Sequence, residues 1–118
     1  MTFELAASPD APARARASVL AVVGDSRSVD DILLALSELV SNAVRHGDLS
    51  PDDVITVDVE TSGEVVRVTV SHDGPPFDPL SARTGGGLGG FGLRIVGAVS
   101  KRWDVSHRDG RTETWFEV

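Results

Sequence analysis

Residues 37–47 read Ser37-Glu38-Leu39-Val40-Ser41-Asn42-Ala43-Val44-Arg45-His46-Gly47, and their spacing carries most of the argument about the fold. Leu39, Val40 and Ala43, with Ile32 and Leu36 before them, recur three and four residues apart. That is the stripe of an amphipathic helix burying one side. Gly47 follows as its stop. Ser28, with Asp31 three residues later, marks its start as a capping box with Asp in place of Glu. Beside the apolar stripe, Glu38, Asn42 and His46 lie four residues apart, so they share one partly exposed ridge. A carboxylate, a carboxamide and an imidazole in line can hold a divalent cation and activate a hydroxyl. Asn is a poor helix-interior residue because its side chain competes for backbone groups. A carboxamide oxygen together with phosphate oxygens suits Mg²⁺, which keeps several waters and takes few protein ligands. Glu38, one turn back, is placed to act as a base toward a hydroxyl or a water. The competing reading is a solvated helix face.

Outward from this helix the patterns alternate. Phe3 to Ala6 reads as a short strand. A helix follows from Ser8-Pro9 to Val23, with Pro12 in its first turn and Gly24 at its end. Val54 to Glu60 and Val65 to Ser71 each alternate with period two, placing Ile55, Val57, Val59, Val66, Val68 and Val70 on one buried face. Thr61 to Glu64 turns the chain between them. Residues 75–90 show no periodicity. Phe91 to Ser100 reads as a helix, and Trp103 to His107 and Thr112 to Val118 as strands joined by Asp109-Gly110, a hairpin signal. Strand, helix, helix, hairpin, loop, helix, hairpin predicts an α+β two-layer sandwich, with helices on one face of a mixed, mostly antiparallel sheet.

Bulk properties narrow the function. With 118 residues, 41% of them hydrophobic, the chain is expected to form one domain spanning 1–118 with a real core. The net charge of −7 argues against a large nucleic-acid footprint and for a basic partner, or a nucleotide carried with its metal ion. The lack of cysteine excludes disulfides and thiolate metal sites. No signal peptide and no apolar run of membrane-spanning length is visible, so a cytoplasmic location away from membranes is expected. Lys101 is the only lysine, a usage associated with GC-rich bacterial genomes.

Thr84-Gly85-Gly86-Gly87-Leu88-Gly89-Gly90-Phe91-Gly92-Leu93 feeds straight into the last helix, where free amides can meet phosphate. Gly87, Gly89 and Gly92 match the spacing G-x-G-x-x-G, but no strand directly precedes them and no βαβ unit follows. A phosphate-covering loop fits better than a dinucleotide fingerprint. His46, His72 and His107 are too widely spaced for a zinc helix.

Three groups of residues, Glu38-x-x-x-Asn42-x-x-x-His46-Gly47, Gly74-Pro75-Pro76-Phe77-Asp78-Pro79 and Gly89-Gly90-Phe91-Gly92-Leu93, resemble the N, G1 and G2 boxes of the GHKL ATPase superfamily. Length and order of elements are similar to its bacterial anti-sigma-factor serine/threonine kinase branch, as is the closing hairpin around Ser106 to Arg111. The resemblance implies the Bergerat ATP-binding fold, with ATP and Mg²⁺ as cofactors. It implies an anti-sigma regulator of the serine-kinase type that binds a sigma factor or similar regulator and phosphorylates a STAS-domain antagonist on serine, with a homodimer among its assemblies. It makes Asn42 the Mg²⁺ ligand, Glu38 the base toward the acceptor serine, and His46 a neighbour of the phosphates. Gly74 would flank adenine, and Gly87, Gly89, Gly90 and Gly92 would belong to the phosphate-covering run. The family's adenine-binding Asp corresponds to His72, with Asp73 as the alternative in a shifted alignment, and Pro76 replaces a glycine. With a short loop between Pro79 and Gly85, these departures define a second reading, a degenerate Bergerat-fold module that binds a partner protein with weak nucleotide binding or none.

Overall fold

The structure, a computed structural model, describes residues 1–24, 26–46, 49–73 and 88–118, with the side chains of residues 46 and 88–92 outside the description. Five strands, β1 (Thr2–Ala6), β2 (Val54–Ser62), β3 (Val65–Asp73), β4 (Arg102–Arg108) and β5 (Arg111–Glu117), form one sheet in the order β1-β2-β3-β5-β4. Among the described residues, three helices, α1 (Ala11–Val23), α2 (Val29–His46) and α3 (Leu88–Val99), cover one face. Every described strand pairing is antiparallel, where a mixed sheet was expected. The reason is the number of helices between β1 and β2. Two antiparallel helices carry the chain down and back up, so β2 must descend beside an ascending β1.

Alternation sets which residues face the helices. Phe3 and Leu5 on β1 pair with Val57 and Ile55 on β2, which pair with Val70 and His72 on β3. Thr112, Thr114 and Phe116 of β5 continue these rows. The core combines Ile55, Val57, Val59, Val66, Val68, Val70 and Phe116 from the sheet with Ala15, Val19, Ile32, Leu36, Leu39, Val40 and Ala43 from α1 and α2. Fully burying such a side chain contributes about 1.5–3 kcal/mol, so the sheet–helix interface dominates the stability of the fold. The opposite face of the sheet is polar. There Arg102 and Arg67 both donate to Glu117, and the Arg67 guanidinium stacks 4.0 Å from the centre of the Trp115 ring.

The turns explain the hairpins. Gly63 takes φ +61° between β2 and β3, a conformation that favours glycine. Asp109 and Gly110 take φ 55° and 76°, the two left-handed positions of a type I′ turn. Helix ends depart from expectation in three places. Gly24 is right-handed, with φ −53° and ψ −27°, so α1 ends without a left-handed cap. The Ser28 side chain does not close a capping box; Ser28 O accepts from Ile32 N, and Ser26 Oγ accepts from Ser28 N. Finally, α3 begins at Leu88 and not at Phe91. Glycine disfavours helix interiors by about 1 kcal/mol per residue, but first-turn residues need few intrahelical bonds and packing against α2 outweighs the penalty. No described helix is long and apolar enough to cross a membrane.

Candidate functional site

Chain direction places several elements at one end of the sheet. β1 ends there, β2 begins there, and Ala7 N donates to Asp53 O at 2.8 Å, just before β2. α2 must therefore finish at that upper end, since only residues 47–53 join it to β2. β3 also ends there, at His72 and Asp73, with Ile55 directly across from His72. α3 finishes at the lower end, because Lys101 N donates to Glu117 O at 2.7 Å beside the start of β4. A twelve-residue helix spans about 18 Å, so α3 starts at the upper end. The C-terminus of α2, the C-terminus of β3 and the glycine-rich N-terminus of α3 thus meet on one side. The α3 N-terminus brings partial positive charge and free amides, features that attract phosphate.

α2 lies between α1 and α3, packing against both. Arg16 of α1 donates to Ser37 Oγ at 3.1 Å, which fixes the α1 side of α2. Asn42, five residues on, is turned about 140° from Ser37 around the axis and so lies on the α3 side. This packing corrects the expectation of a partly exposed ridge. Asn42 is buried, only 3% exposed, while Glu38 is half-buried. Among the described residues, the Asn42 Nδ2 has no hydrogen-bond partner. Buried polar groups are nearly always paired, and an orphan calls for an explanation.

His72 is equally buried, at 2% exposure. It faces the helices in the same row as Leu5, Ile55 and Thr112. Its Nδ1 lies 3.1 Å from the backbone oxygen of Asp73. A carbonyl oxygen only accepts, so Nδ1 carries the proton and, in the neutral ring, Nε2 keeps its lone pair. No hydrogen bond to another described residue engages Nε2. Asp73 points to the opposite face, where its carboxylate accepts from Arg111 Nη1 at 3.0 Å. The two adjacent residues therefore serve opposite sides of the sheet, and only His72 faces the helix layer.

Of the other residues singled out in the sequence, Gly89, Gly90 and Gly92 fall within the first turns of α3. His46 ends the α2 backbone, with its side chain outside the described residues. Gly74, Gly87 and the segment from Pro75 to Pro79, including Pro76, also lie outside them. Sequence reasoning missed Thr112 and its pairing with His107. Thr112, 1% exposed, pairs with both His72 and His107, and its Oγ1 lies 3.0 Å from His107 Nδ1. The Asp109-Gly110 turn fixes this register, so counting back from it would have found the pair. A cavity of about 720 Å³ lies at the other end of the molecule, lined by Val22, Arg27, Ser28, Gly63, Lys101 and Val118. It contains none of the predicted site residues. Among the described residues, no buried side-chain atom on its walls lacks a partner. Chemistry, not volume, singles out the upper end.

Comparison with known proteins agrees with this arrangement. A family model described as a histidine kinase-like ATPase domain matches residues 5–118. The structure of the RsbU and RsbW domains of Rv1364c from Mycobacterium tuberculosis is similar, with a TM-score of 0.74 and 27% identity over 99% of this chain. The chain spans only 30% of the length of that mycobacterial chain. The histidine kinase domain of the blue-light activated kinase EL346 from Erythrobacter litoralis shares the fold at a TM-score of 0.62 and 22% identity, over 91% of this chain and 58% of that one. So does the catalytic domain of histidine kinase ThkA, at 0.61 and 17%, over 100% and 96%. The chain belongs to the histidine kinase-like ATPase domain family.

Proposed function

We propose that the upper end of the sheet binds MgATP, and that the chain is an anti-sigma regulator of the serine-kinase type which transfers the γ-phosphoryl group to a serine of a STAS-domain antagonist. One observation carries the reading: Asn42 and His72 are both almost wholly buried at the end where a glycine-rich helix begins, and each has a polar atom that no described residue satisfies. Leaving such atoms bare costs about 1–3 kcal/mol each, a cost that a bound ligand removes. The similarity to a protein with an RsbW domain supports a regulatory role; the partners, a sigma factor or related regulator and its antagonist, are those that the sequence resemblance implies.

The residues fit Mg²⁺ bound with a nucleotide. One carboxamide oxygen, from Asn42, is the small protein contribution this ion accepts, and the unpartnered Asn42 Nδ2 would donate to a phosphate oxygen of the nucleotide. The ion, when bound, neutralises phosphate charge. Glu38, one turn before Asn42 and half-buried, would accept the proton of the serine hydroxyl. His72 Nε2 would accept from the exocyclic amino group of adenine. The amides at the start of α3 would meet the phosphates, with Gly89, Gly90 and Gly92 allowing close backbone approach. Phosphoryl transfer asks for little beyond positioning and charge stabilisation.

The partner-binding reading without turnover keeps one observation in its favour, the imidazole at His72 where the family carries a carboxylate. A neutral imidazole accepts one hydrogen bond without charge assistance. Calorimetric titration of MgATP into wild type and Asn42→Ala separates the readings. Wild type should bind measurably and the variant should bind at least tenfold more weakly. Wild-type binding that Asn42→Ala leaves unchanged overturns the metal assignment, and absence of wild-type binding supports the partner-binding module.

A further inference from the structure

Arg111 opens β5 and lies on the polar face of the sheet, behind His72. Its Nη1 donates to Asp73 Oδ1 at 3.0 Å, and its Nη2 to Ser71 Oγ at 2.9 Å and Thr56 Oγ1 at 3.1 Å. Ser71 and Asp73 flank His72, and Thr56 follows Ile55, the β2 residue opposite His72. One guanidinium therefore ties together β2, β3 and β5 around a single residue that points away from it. The backbone explains why such a tie matters here. The pairing of β2 with β3 stops at Ile55 and His72, whereas that of β3 with β5 continues to Asp73 and Arg111. Asp73 is held by a neighbouring strand on one side only. Yet its carbonyl receives the His72 Nδ1–H and so sets the tautomer and the plane of the ring.

As an ion pair alone, Arg111–Asp73 would contribute little, because the Asp73 side chain is 87% exposed. A guanidinium with three partners on two strands has a different effect: it restricts rotation of the Asp73 peptide. We propose that Arg111 is a positioning residue for the nucleotide base, fixing the end of β3 from the far face so that His72 presents an unprotonated Nε2 to the site. The proposal rests on the reading of His72 as the base-contacting residue.

The test compares wild type, Arg111→Ala, Arg111→Lys and the double variant Thr56→Val/Ser71→Ala, which keeps the ion pair should Arg111→Ala fail to fold. Long-range ¹H–¹⁵N correlation spectra of the nucleotide-free proteins at alkaline pH report the His72 tautomer. Calorimetry reports the preference for ATP over inosine triphosphate, which replaces the amino group with an acceptor oxygen. Wild type should show a single Nδ1–H tautomer. Arg111→Ala and the double variant should show mixed tautomers and lose about tenfold of the preference for ATP, a change of about 1.4 kcal/mol. Arg111→Lys should recover part of both. An unchanged tautomer in Arg111→Ala and the double variant overturns the proposal, as does an unchanged base preference in a wild type that binds ATP. If wild type binds no nucleotide, the tautomer still decides whether Arg111 positions the ring, and the reading of the site fails separately.

Discussion

At the lower end of the sheet Glu117, 9% exposed, accepts hydrogen bonds from Arg102 and Arg67; at the upper end Asn42, 3% exposed, finds no partner for its Nδ2 among the described residues. Both are polar groups withdrawn from water, and the chain treats them differently. Glu117 is satisfied within the protein. Its carboxyl is held below the ordinary glutamate range, chiefly by the Arg102 hydrogen bond, against the opposing effect of burial and with further help from Arg67. Asn42 is left incomplete at the price of stability. Glu117 finds its partners in the chain, whereas Asn42, on the proposed reading, meets its partner in a ligand. His72, with Nε2 unengaged by described residues, belongs with Asn42.

The largest expected effect would break the comparison on the chemical side. Glu38→Gln keeps the side-chain shape but cannot take a proton. Phosphoryl transfer to the cognate antagonist should fall about 10²- to 10⁴-fold while nucleotide affinity holds, as read by radiolabelled transfer beside calorimetry. An undiminished rate would remove Glu38 from the role of base.

His72→Asp comes next. A carboxylate accepts the adenine amino group with charge assistance, so ATP should bind more tightly by about 1–3 kcal/mol. The same carboxylate would be buried without a ligand, so the nucleotide-free variant should unfold at lower urea than wild type. Opposite signs in the two measurements mark a ligand-facing position; equal affinity would show that His72 does not meet the base.

Asn42→Leu sharpens the contrast with Glu117. Leucine repeats the branching of asparagine with bulkier methyl tips and removes the orphaned amide, so the nucleotide-free protein should hold its stability or gain up to about 1 kcal/mol in urea unfolding while MgATP affinity drops. A loss of stability instead would show that the carboxamide serves the fold.

The smallest effect concerns Glu117→Gln, which keeps the shape and removes the charge between two arginines. It should lower the unfolding midpoint at neutral pH. The folded carboxyl titrates below its unfolded value, so its contribution is complete above the unfolded value of about 4.3 and disappears as pH falls through the folded value. Wild type and variant should therefore converge in thermal unfolding as the pH falls below the unfolded value and through the folded one. A gap that persists in acid would assign the effect to packing.

Much of this was legible from local pattern. The apolar stripe of α2, the alternation of β2 and β3 and the Asp109-Gly110 turn each act over a few residues, and each appears in the structure where the pattern placed it. Helix ends were less legible, because the Ser28 cap and the early start of α3 are decided by packing and by competing backbone partners. The ridge spacing put Glu38 and Asn42 on one helix face but mistook the environment of Asn42, which is buried where partial exposure was expected. Burial of Asn42 depends on packing around α2, and one of the helices packed against α2, α3, follows Asn42 by more than forty residues in the chain.

The sequence by itself determined which residues share a face, because helical and strand periodicities are properties of the local backbone. That was enough to align Glu38 with Asn42 and to put His72 and Asp73 on opposite sides of one strand. Tertiary structure decided what each face meets. It placed β5, and not β4, beside β3, brought Thr112 next to His72 and Arg111 behind it, and buried Asn42 with no partner for its Nδ2 among the described residues. These outcomes depend on contacts between segments far apart in the chain, where the free energy of packing, and not the preference of any single stretch, selects the arrangement.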